Sequence, residues 1–370
     1  MEEGALRLRS GPVPQVGSAP GFSLESLRKF SEELVSLQRP IRMLKALNWD
    51  SKVHERFFQS RAVLLPRITY PPLEFDPAKK TRELVELKRK IRGKNPVEQL
   101  LRRKCVEFIA IVEMLAARGT RRFYELSCEI FGGPRDKYVA DHTVDNLEIA
   151  RMWASRPRAR HEKATVDSQK AKSTIASIIG RRLRSDVRIR ESTRITANAA
   201  AGATSIAIKK GAMFTPRQVR ALAHHEGLWH VLTSLNGFAQ PTLTFLGVGL
   251  PNFTESQEGG GILAEYLTDN LTDDRFRELG ERTIAVDMAA QGADYLQVFD
   301  YLAGRFSEAK AAQMAERVFS RWRAHGWCAV HEGRGVSEGL LPRVELSTGG
   351  LRSRRHRARR GILCGKDGGR

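Results

Sequence analysis

The 370-residue sequence contains no apolar run of membrane-spanning length and only four cysteines. A membrane helix needs about 20 consecutive apolar residues, so we expect no membrane partner. The cysteines, at positions 105, 128, 328 and 364, have neither the spacing of a zinc motif nor that of a disulfide framework. The first residues, Met-Glu-Glu-Gly, lack the basic segment and apolar core of a secretory signal. These absences predict a cytoplasmic protein.

Acidic residues are few relative to basic ones, with 42 Asp and Glu against 62 Lys and Arg and a net charge of +20. Such an excess invites a nucleic-acid interpretation. The basic clusters lack interleaved aromatic residues, a zinc knuckle and a recognition-helix pattern; they are Lys88-Arg89-Lys90, Arg102-Arg103-Lys104 and Arg181-Arg182. We interpret them as solvated helix faces and expect no nucleic-acid partner. A basic surface could instead attract an acidic peptide.

Helical spacing dominates the first half of the chain. Residues 1–21 are rich in Gly, Pro and Ser, which predicts a disordered lead-in. In residues 22–185 apolar side chains recur at steps of three and four, as at Leu84, Leu87 and Ile91. This spacing predicts a helical N-terminal region.

Between residues 186 and 213 apolar residues recur at every second position instead of every third or fourth. Val187–Ile189 and Ile206–Ile208 alternate with polar residues around Asn198–Gly202, as in a β-hairpin. Helical spacing resumes after Phe214. The predicted fold class is therefore mainly α with a small β-hairpin or sheet.

The residues that indicate chemistry lie in the segment His225-Glu226-Gly227-Leu228-Trp229-His230, an H-E-x-x-x-H pattern. The usual zincin pattern, H-E-x-x-H, separates its histidines by four residues. A separation of five directs them about 140° apart on a regular α-helix. A π-bulge, common at functional sites, would return both rings to one side. Gly227 is the natural place for that distortion because it lacks a Cβ.

A second helix is predicted from Thr254, with Gln257 in the capping-box position. Glu258 and Glu265 are seven residues apart and share a face of this helix. Two antiparallel helices could therefore present His225, His230 and Glu258 to one metal ion, a set that suits catalytic zinc. Alternatively, the histidines are ordinary polar helix residues and the glutamates form a solvated face.

The run LAHHEGLWHVLTSLNG, followed by ESQEGGGILAEYL, resembles the family of the microtubule-associated tyrosine carboxypeptidases. Bacterial members of that family are known as flavohaemoglobin expression-modulating QEGLA-motif proteins. The resemblance extends upstream through LNWDSKVHERFF and RITANAAAGATSIAIKKGAMFT and downstream through GADYLQVFDYL to about Phe319. It implies a zincin-like metallopeptidase with its core at residues 186–320.

The resemblance also implies roles for individual residues. His225, His230 and Glu258 would be the zinc ligands, and Glu226 the general base. Where the family has Q-E-G-L-A, this chain has three consecutive glycines, Gly259-Gly260-Gly261. Three glycines inside a helix cost about 2–3 kcal/mol relative to alanine, so we expect a less rigid ligand helix.

Three further residues are candidates with open alternatives. Glu265 is interpreted either as a partner that orients a histidine or as an exposed structural residue. A carboxypeptidase also needs a cation for the terminal carboxylate of its substrate. Lys209 and Lys210, which end the strand before the histidine segment, are candidates by position. The favoured alternative is that they form the charged face of an edge strand.

The expected function is removal of a C-terminal, tyrosine-like residue from a protein or peptide, with Zn²⁺ as cofactor. The substrate's C-terminus is the expected partner, and an acidic tail would suit the basic surface. The rival is a non-catalytic or degenerate regulator that affects flavohaemoglobin expression. The intact His-Glu pair favours the enzyme, because a pure binding protein has no need of an acid–base glutamate.

Residues 321–370 have a different character, with twelve Lys or Arg against four Asp or Glu and neither helical nor strand periodicity. The family has a segment resembling F-T-K-D-x-x-Y-L in this region. Permitted codons for Trp322–Leu341, shifted by one nucleotide, can encode GGRTGGAPFTKDVVYLKGFL. Our hypothesis is a frameshift near residue 320 that gives an aberrant basic C-terminus. The alternative is a basic disordered tail.

Resequencing the coding region tests the frameshift hypothesis. We expect an insertion or deletion near the codon for residue 320 that restores the F-T-K-D segment when corrected. An uninterrupted frame that encodes the fifty residues as printed would contradict it.

Overall fold

A computed structural model describes residues 23–50, 52–66, 68–137, 143–158, 162–183, 185–193, 195 and 197–321. The predicted lead-in at 1–21, and the predicted aberrant tail apart from Arg321, lie outside these ranges. Helices make up most of the described chain, which confirms the mainly α prediction. None of them combines the length and apolar character that a membrane span needs.

Eight α-helices precede or flank the small sheets in the first part of the described chain. They are α1 (Leu24–Gln38), α2 (Met43–Leu47), α3 (Lys52–Gln59), α4 (Pro77–Lys90), α5 (Pro96–Ala116), α6 (Arg121–Phe131), α7 (Asn146–Ala154) and α8 (Ser168–Gly180).

The second half begins with α9 (Pro216–Leu222), which continues into a π-helix (Ala223–Val231) and α10 (Leu232–Phe238). Two short 3₁₀ helices follow, Thr244–Gly247 and Pro251–Phe253. The remaining elements are α11 (Thr254–Leu267), α12 (Asp273–Ala290), α13 (Tyr295–Ala303), α14 (Glu308–Glu316) and a second π-helix (Arg317–Arg321).

Helices α4 and α5 show why the N-terminal region is helical. Each is preceded by an N-cap residue whose side chain accepts a hydrogen bond from the first turn, Asp76 before α4 and Asn95 before α5. The first residue of each helix is proline. The predicted apolar spacing is confirmed, since Leu84 and Leu87 are fully buried. They belong to a core that also contains Phe245 from the 3₁₀ helix Thr244–Gly247. The N-terminal helices therefore pack against the connection between α10 and α11.

The predicted hairpin is wrong in its pairing. Strand β2 (Arg188–Ser192) runs parallel to β4 (Ser205–Lys209), whereas β3 (Ala199–Ala201) is antiparallel to β4, in the order β2-β4-β3. Residues 198–202 were predicted to connect the two strands, but Ala199–Ala201 form β3 itself. The tight turn lies after them, where the Gly202 N–H donates to the Ser205 carbonyl. A separate pair joins β1 (Val166–Asp167) to β5 (Met213–Phe214).

Two of the three basic clusters, Lys88–Lys90 and Arg181-Arg182, are exposed, as predicted for solvated helix faces. The third cluster differs. Lys104 is buried and pairs with Glu107 at 2.8 Å. Arg102 donates to the backbone carbonyls of Ile91 and Gly93, beyond the end of α4. Arg102 therefore connects α5 to the segment after α4, and Lys104 pairs within α5, so the solvated interpretation is wrong for these two residues of the cluster.

Helix α12 positions one wall of the site and packs closely on α7. Gly280 permits the contact, because a Cβ there would lie 2.4 Å from the Ala150 carbonyl oxygen. The same helix contributes Ala285 and Val286 to a core shared with α3, α13 and α14. Helix α12 therefore joins α7 to the C-terminal helices, and its Leu279 packs with Ile262 of α11.

Candidate metal centre

The histidine segment begins at a well-defined N-terminus. The Thr215 side chain accepts a hydrogen bond from the Gln218 N–H, and the Gln218 side chain accepts one from the Thr215 N–H. Seven α-helical residues follow, and the backbone then becomes a π-helix from Ala223 to Val231. The predicted distortion is confirmed. It brings the rings of His225 and His230 to 4.9 Å between centroids, although five residues separate them.

Helix α11 carries Glu258 against the two histidines. Its Oε2 lies 3.7 Å from His225 Nε2, and its Oε1 lies 3.6 Å from His230 Nε2. One donor atom from each residue fits within 4.8 Å of the other two. Bonds of about 2.0–2.2 Å in a tetrahedral zinc site separate ligand atoms by roughly 3.3–3.6 Å. The donor set suits a zinc ion, and the distances from Glu258 to the two Nε2 atoms lie at or just above the upper end of that range.

Outer hydrogen bonds leave the two Nε2 atoms directed at Glu258. His225 Nδ1 lies 2.7 Å from Glu265 Oε1, and His230 Nδ1 lies 3.4 Å from Gln257 Oε1. Both oxygens accept, so in neutral imidazoles each Nδ1 carries the proton and each Nε2 keeps its lone pair. Glu265 is 4% exposed. Its position is that of a carboxylate that orients a candidate ligand histidine.

The charges around Glu265 are arranged to keep it ionised. Burial raises the pKa of this carboxyl, but Arg275 and His225 outweigh burial and hold the pKa below its usual value. Arg275 Nε lies 3.5 Å from Glu265 Oε2. Burial lowers the pKa of His225, whereas Glu258 and Glu265 raise it, and the net pKa is well above the usual value. A bound cation would oppose that rise.

Helix α11 begins at Thr254 as predicted, but without the predicted capping box. Phe253 occupies the N-cap position and makes no side-chain hydrogen bond to the helix. The Thr254 hydroxyl donates to the Leu250 carbonyl instead. The Gln257 side chain lies beside His230 and does not cap the helix. The predicted capping box is therefore wrong.

The glycines of both helices allow close approaches that the sequence did not indicate. A Cβ on Gly227 would lie 2.3 Å from Ile179 Cδ1 on α8. A Cβ on Gly260 would lie 1.8 Å from Trp229 Cζ2, and one on Gly261 would lie 2.6 Å from His225 Cε1. Gly260 thus makes room for Trp229, and Gly261 makes room for the candidate ligand His225. All three glycines of the run 259–261 are buried.

The candidate site opens into a cleft of about 2290 Å³. His225, Glu226, His230 and Glu258 all line it. His224, the neighbouring histidine, stands apart from the cluster, and its Nδ1 lies 2.8 Å from the Arg220 carbonyl oxygen.

Lys209 and Lys210 are not brought to the site. They follow or end β4 and are absent from the described residues that line the cleft. Among the polar residues of the cleft wall to which sequence reasoning gave no role at the site are Gln257, Arg275 and Arg282. Only Gln257 had a signal, its position beside Glu258. The two arginines reach the cleft through the packing of α12.

The class defined by this arrangement is a mainly helical protein with a candidate metal centre built from two histidines and a glutamate in an open cleft. The chain matches the model of the microtubule-associated tyrosine carboxypeptidase family over residues 55–328. That span covers most of the chain, so the protein belongs to this family. Family membership indicates an enzyme of the carboxypeptidase type with a protein substrate. No curated protein matches the chain closely enough to count as a relative.

Trp229 and Gly260 are expected to be energetically coupled. Gly260→Leu, which restores the family residue, should lower the free energy of unfolding by about 1–3 kcal/mol because the leucine collides with the indole. Trp229→Ala should also destabilise, by leaving a cavity. The double variant should be more stable than the sum of the two losses predicts, by about 0.5–3 kcal/mol.

Chemical denaturation of the four proteins gives this coupling energy. Gly180→Leu is the matched control, since a Cβ at that helical glycine meets nothing within 4 Å and the substitution should be tolerated. Strictly additive losses at 229 and 260 would show that the two positions do not share space.

Proposed function

We propose that this protein is a zinc-dependent carboxypeptidase that removes a C-terminal, tyrosine-like residue from a protein. The observation that carries the proposal is the convergence of His225 Nε2, His230 Nε2 and the Glu258 carboxylate on one point beside a cleft. The family name, which describes a tyrosine carboxypeptidase, supports the reaction and the residue removed.

His225, His230 and Glu258 would hold the zinc ion and leave a coordination position open, as catalytic zinc sites do. The ion would supply Lewis-acid chemistry, polarising a carbonyl group and acidifying water. Glu265 fixes the His225 ring through Nδ1, and Gln257 acts in the same way on His230. Neither residue touches the substrate in this scheme.

Glu226 is the proposed general base. It is half-buried, lines the cleft and follows His225 directly, so its carboxylate remains available for proton transfer. It takes one proton from the attacking water as the oxygen bonds to the peptide carbonyl carbon. As the C–N bond breaks, Glu226 delivers that proton to the leaving amine. The products are a shortened chain with a new carboxylate and a free amino acid.

The charge of the cleft favours an acidic substrate. Among the described residues that line it, thirteen are Lys or Arg and seven are Asp or Glu. Complementary charge of this kind raises encounter rates and makes them sensitive to salt. An acidic protein tail ending in an aromatic residue is therefore the proposed substrate class.

Zinc content tests the ligand assignment. We expect purified protein to contain close to one zinc per chain, and His225→Ala or His230→Ala to lose it, as measured by elemental mass spectrometry. Glu258→Ala should weaken zinc binding, and Glu265→Gln should weaken it by about 10- to 100-fold because the His225 ring loses its support.

His224→Ala is the matched control and should retain zinc. Glu226→Gln should also retain zinc while kcat falls by about 10²- to 10⁴-fold, because only the acid–base group is removed. Zinc-free wild-type protein prepared without chelator would remove the basis of the proposal. Zinc loss in Glu226→Gln equal to that in His225→Ala would overturn the assigned roles.

Peptides ending in Tyr or Phe, each with a free or an amidated C-terminus, test the reaction type. We expect the zinc-loaded protein to release the last residue of the free peptides only, because a carboxypeptidase binds the terminal carboxylate. Product masses report the outcome. Equal cleavage of both forms would indicate an endopeptidase, and no cleavage of any peptide would favour the non-catalytic regulator of flavohaemoglobin expression.

A further inference from the structure

Arg282, on α12, is a buried cation with unused hydrogen-bond donors. It is 2% exposed, and its Nε and Nη1 atoms are buried without a hydrogen-bond partner among the described residues. Arginine stays protonated in proteins. An unpaired buried charge is costly, so such a group is expected to have a compensating anion in the working protein.

The surroundings of Arg282 contain more positive than negative charge. Burial raises the pKa of the Glu278 carboxyl, but Lys310, Arg275 and Arg282 outweigh burial and hold that pKa far below its usual value. Lys310 Nζ makes the direct contact, 2.9 Å from Glu278 Oε1. Arg275 also contacts Glu265. Within this basic cluster of five described residues, three cations therefore share two carboxylates.

The adjacent glutamate does not supply the missing negative charge. Glu281 Oε1 accepts from Arg305 Nε at 3.1 Å, and Glu281 Oε2 accepts from the Tyr301 hydroxyl at 2.6 Å. Both of its oxygens are therefore already engaged, by Tyr301 of α13 and by Arg305 beyond the end of that helix. The local structure leaves Arg282 as the donor with capacity for one more acceptor.

Arg282 lines the same cleft as the candidate metal centre. Arg275 and Arg282 are seven residues apart, so they share a face of α12 at a separation of about 10 Å along its axis. Arg275 contacts Glu265, which in turn holds His225. The candidate metal centre and the Arg282 guanidinium thus line one and the same cleft.

We propose that Arg282 binds a carboxylate of the substrate, and that this group is the α-carboxylate of the residue to be removed. The inference rests on the proposed carboxypeptidase function. A guanidinium is suited to the task because two parallel N–H groups can grip both oxygens of a carboxylate. Arg282 takes the role that sequence reasoning gave to Lys209 or Lys210, which do not line the cleft.

Equilibrium binding to the full-length Glu226→Gln protein tests the proposal without hydrolysis. The probes are fluorescent peptides ending in Tyr: an acidic peptide with a free C-terminus, the same peptide amidated, and a free peptide in which Gln replaces every Glu. Arg282→Met should weaken binding of both free peptides by about 10- to 100-fold, the loss expected for hydrogen bonds to a charged group. It should hardly change binding of the amidated peptide.

Two variants serve as controls. Arg282→Lys should restore part of the affinity, since it keeps the charge without the paired donors. Arg122→Met removes the same charge from an exposed position outside the cleft lining and should change binding less than two-fold. The thermal midpoint of Arg282→Met is measured alongside, because Arg282 is one of three cations that stabilise the buried Glu278 carboxylate and a change in the fold must be distinguished from a change in peptide binding.

The outcomes separate the alternatives. A loss that depends on the glutamates of the peptide and not on its C-terminus would assign the bound carboxylate to an acidic side chain and overturn the terminal assignment. An equal loss for all three peptides with a lower thermal midpoint would show a structural role and overturn the proposal, as would no binding of the free peptides. Arg282-dependent binding without cleavage by the zinc-loaded wild type would contradict the peptidase function alone. Cleavage with Arg282-independent binding would contradict only this inference.

Discussion

Two histidines five residues apart can face one point only if the helix between them departs from α geometry, and the arrangement of the site follows from this constraint. The π-helix from Ala223 to Val231 satisfies it and shifts the register of every side chain that follows. Helix α8 must then approach Gly227 closely, and α11 must bring Glu258 to the opposite side of the rings. The buried bond between Glu265 and His225 holds the result in place, because Arg275 keeps that glutamate charged.

The positive charge of the chain serves more than one purpose. Arg102 connects α5 to the segment after α4 and Lys104 pairs with Glu107 within α5, whereas Arg275 and Arg282 lie on the wall of the cleft. A net charge alone cannot separate these uses. The distinction depends on whether each guanidinium or ammonium group finds an acceptor in the folded chain. For Arg282, on the cleft wall, two buried nitrogen atoms find none among the described residues.

Local features of the site could be predicted from sequence because they depend on spacing. The distance between His225 and His230 requires a distorted helix, and Thr215 and Pro216 mark its beginning. The parallel pairing of β2 with β4 could not be predicted, since alternation gives the faces of a strand and not its direction. The same limit applies to Arg282: in sequence it resembles any other arginine of α12. Its burial depends on how α12 packs against the rest of the chain.

The close contact between Trp229 and Gly260 has an evolutionary consequence. A larger residue at 260 meets the indole, and a smaller residue at 229 leaves a void, so neither position can change freely while the other stays the same. Such reciprocal epistasis makes the order of substitutions matter and slows the return to the leucine found in the family motif. The glycine at 260 is therefore accounted for by the space that the Trp229 indole occupies.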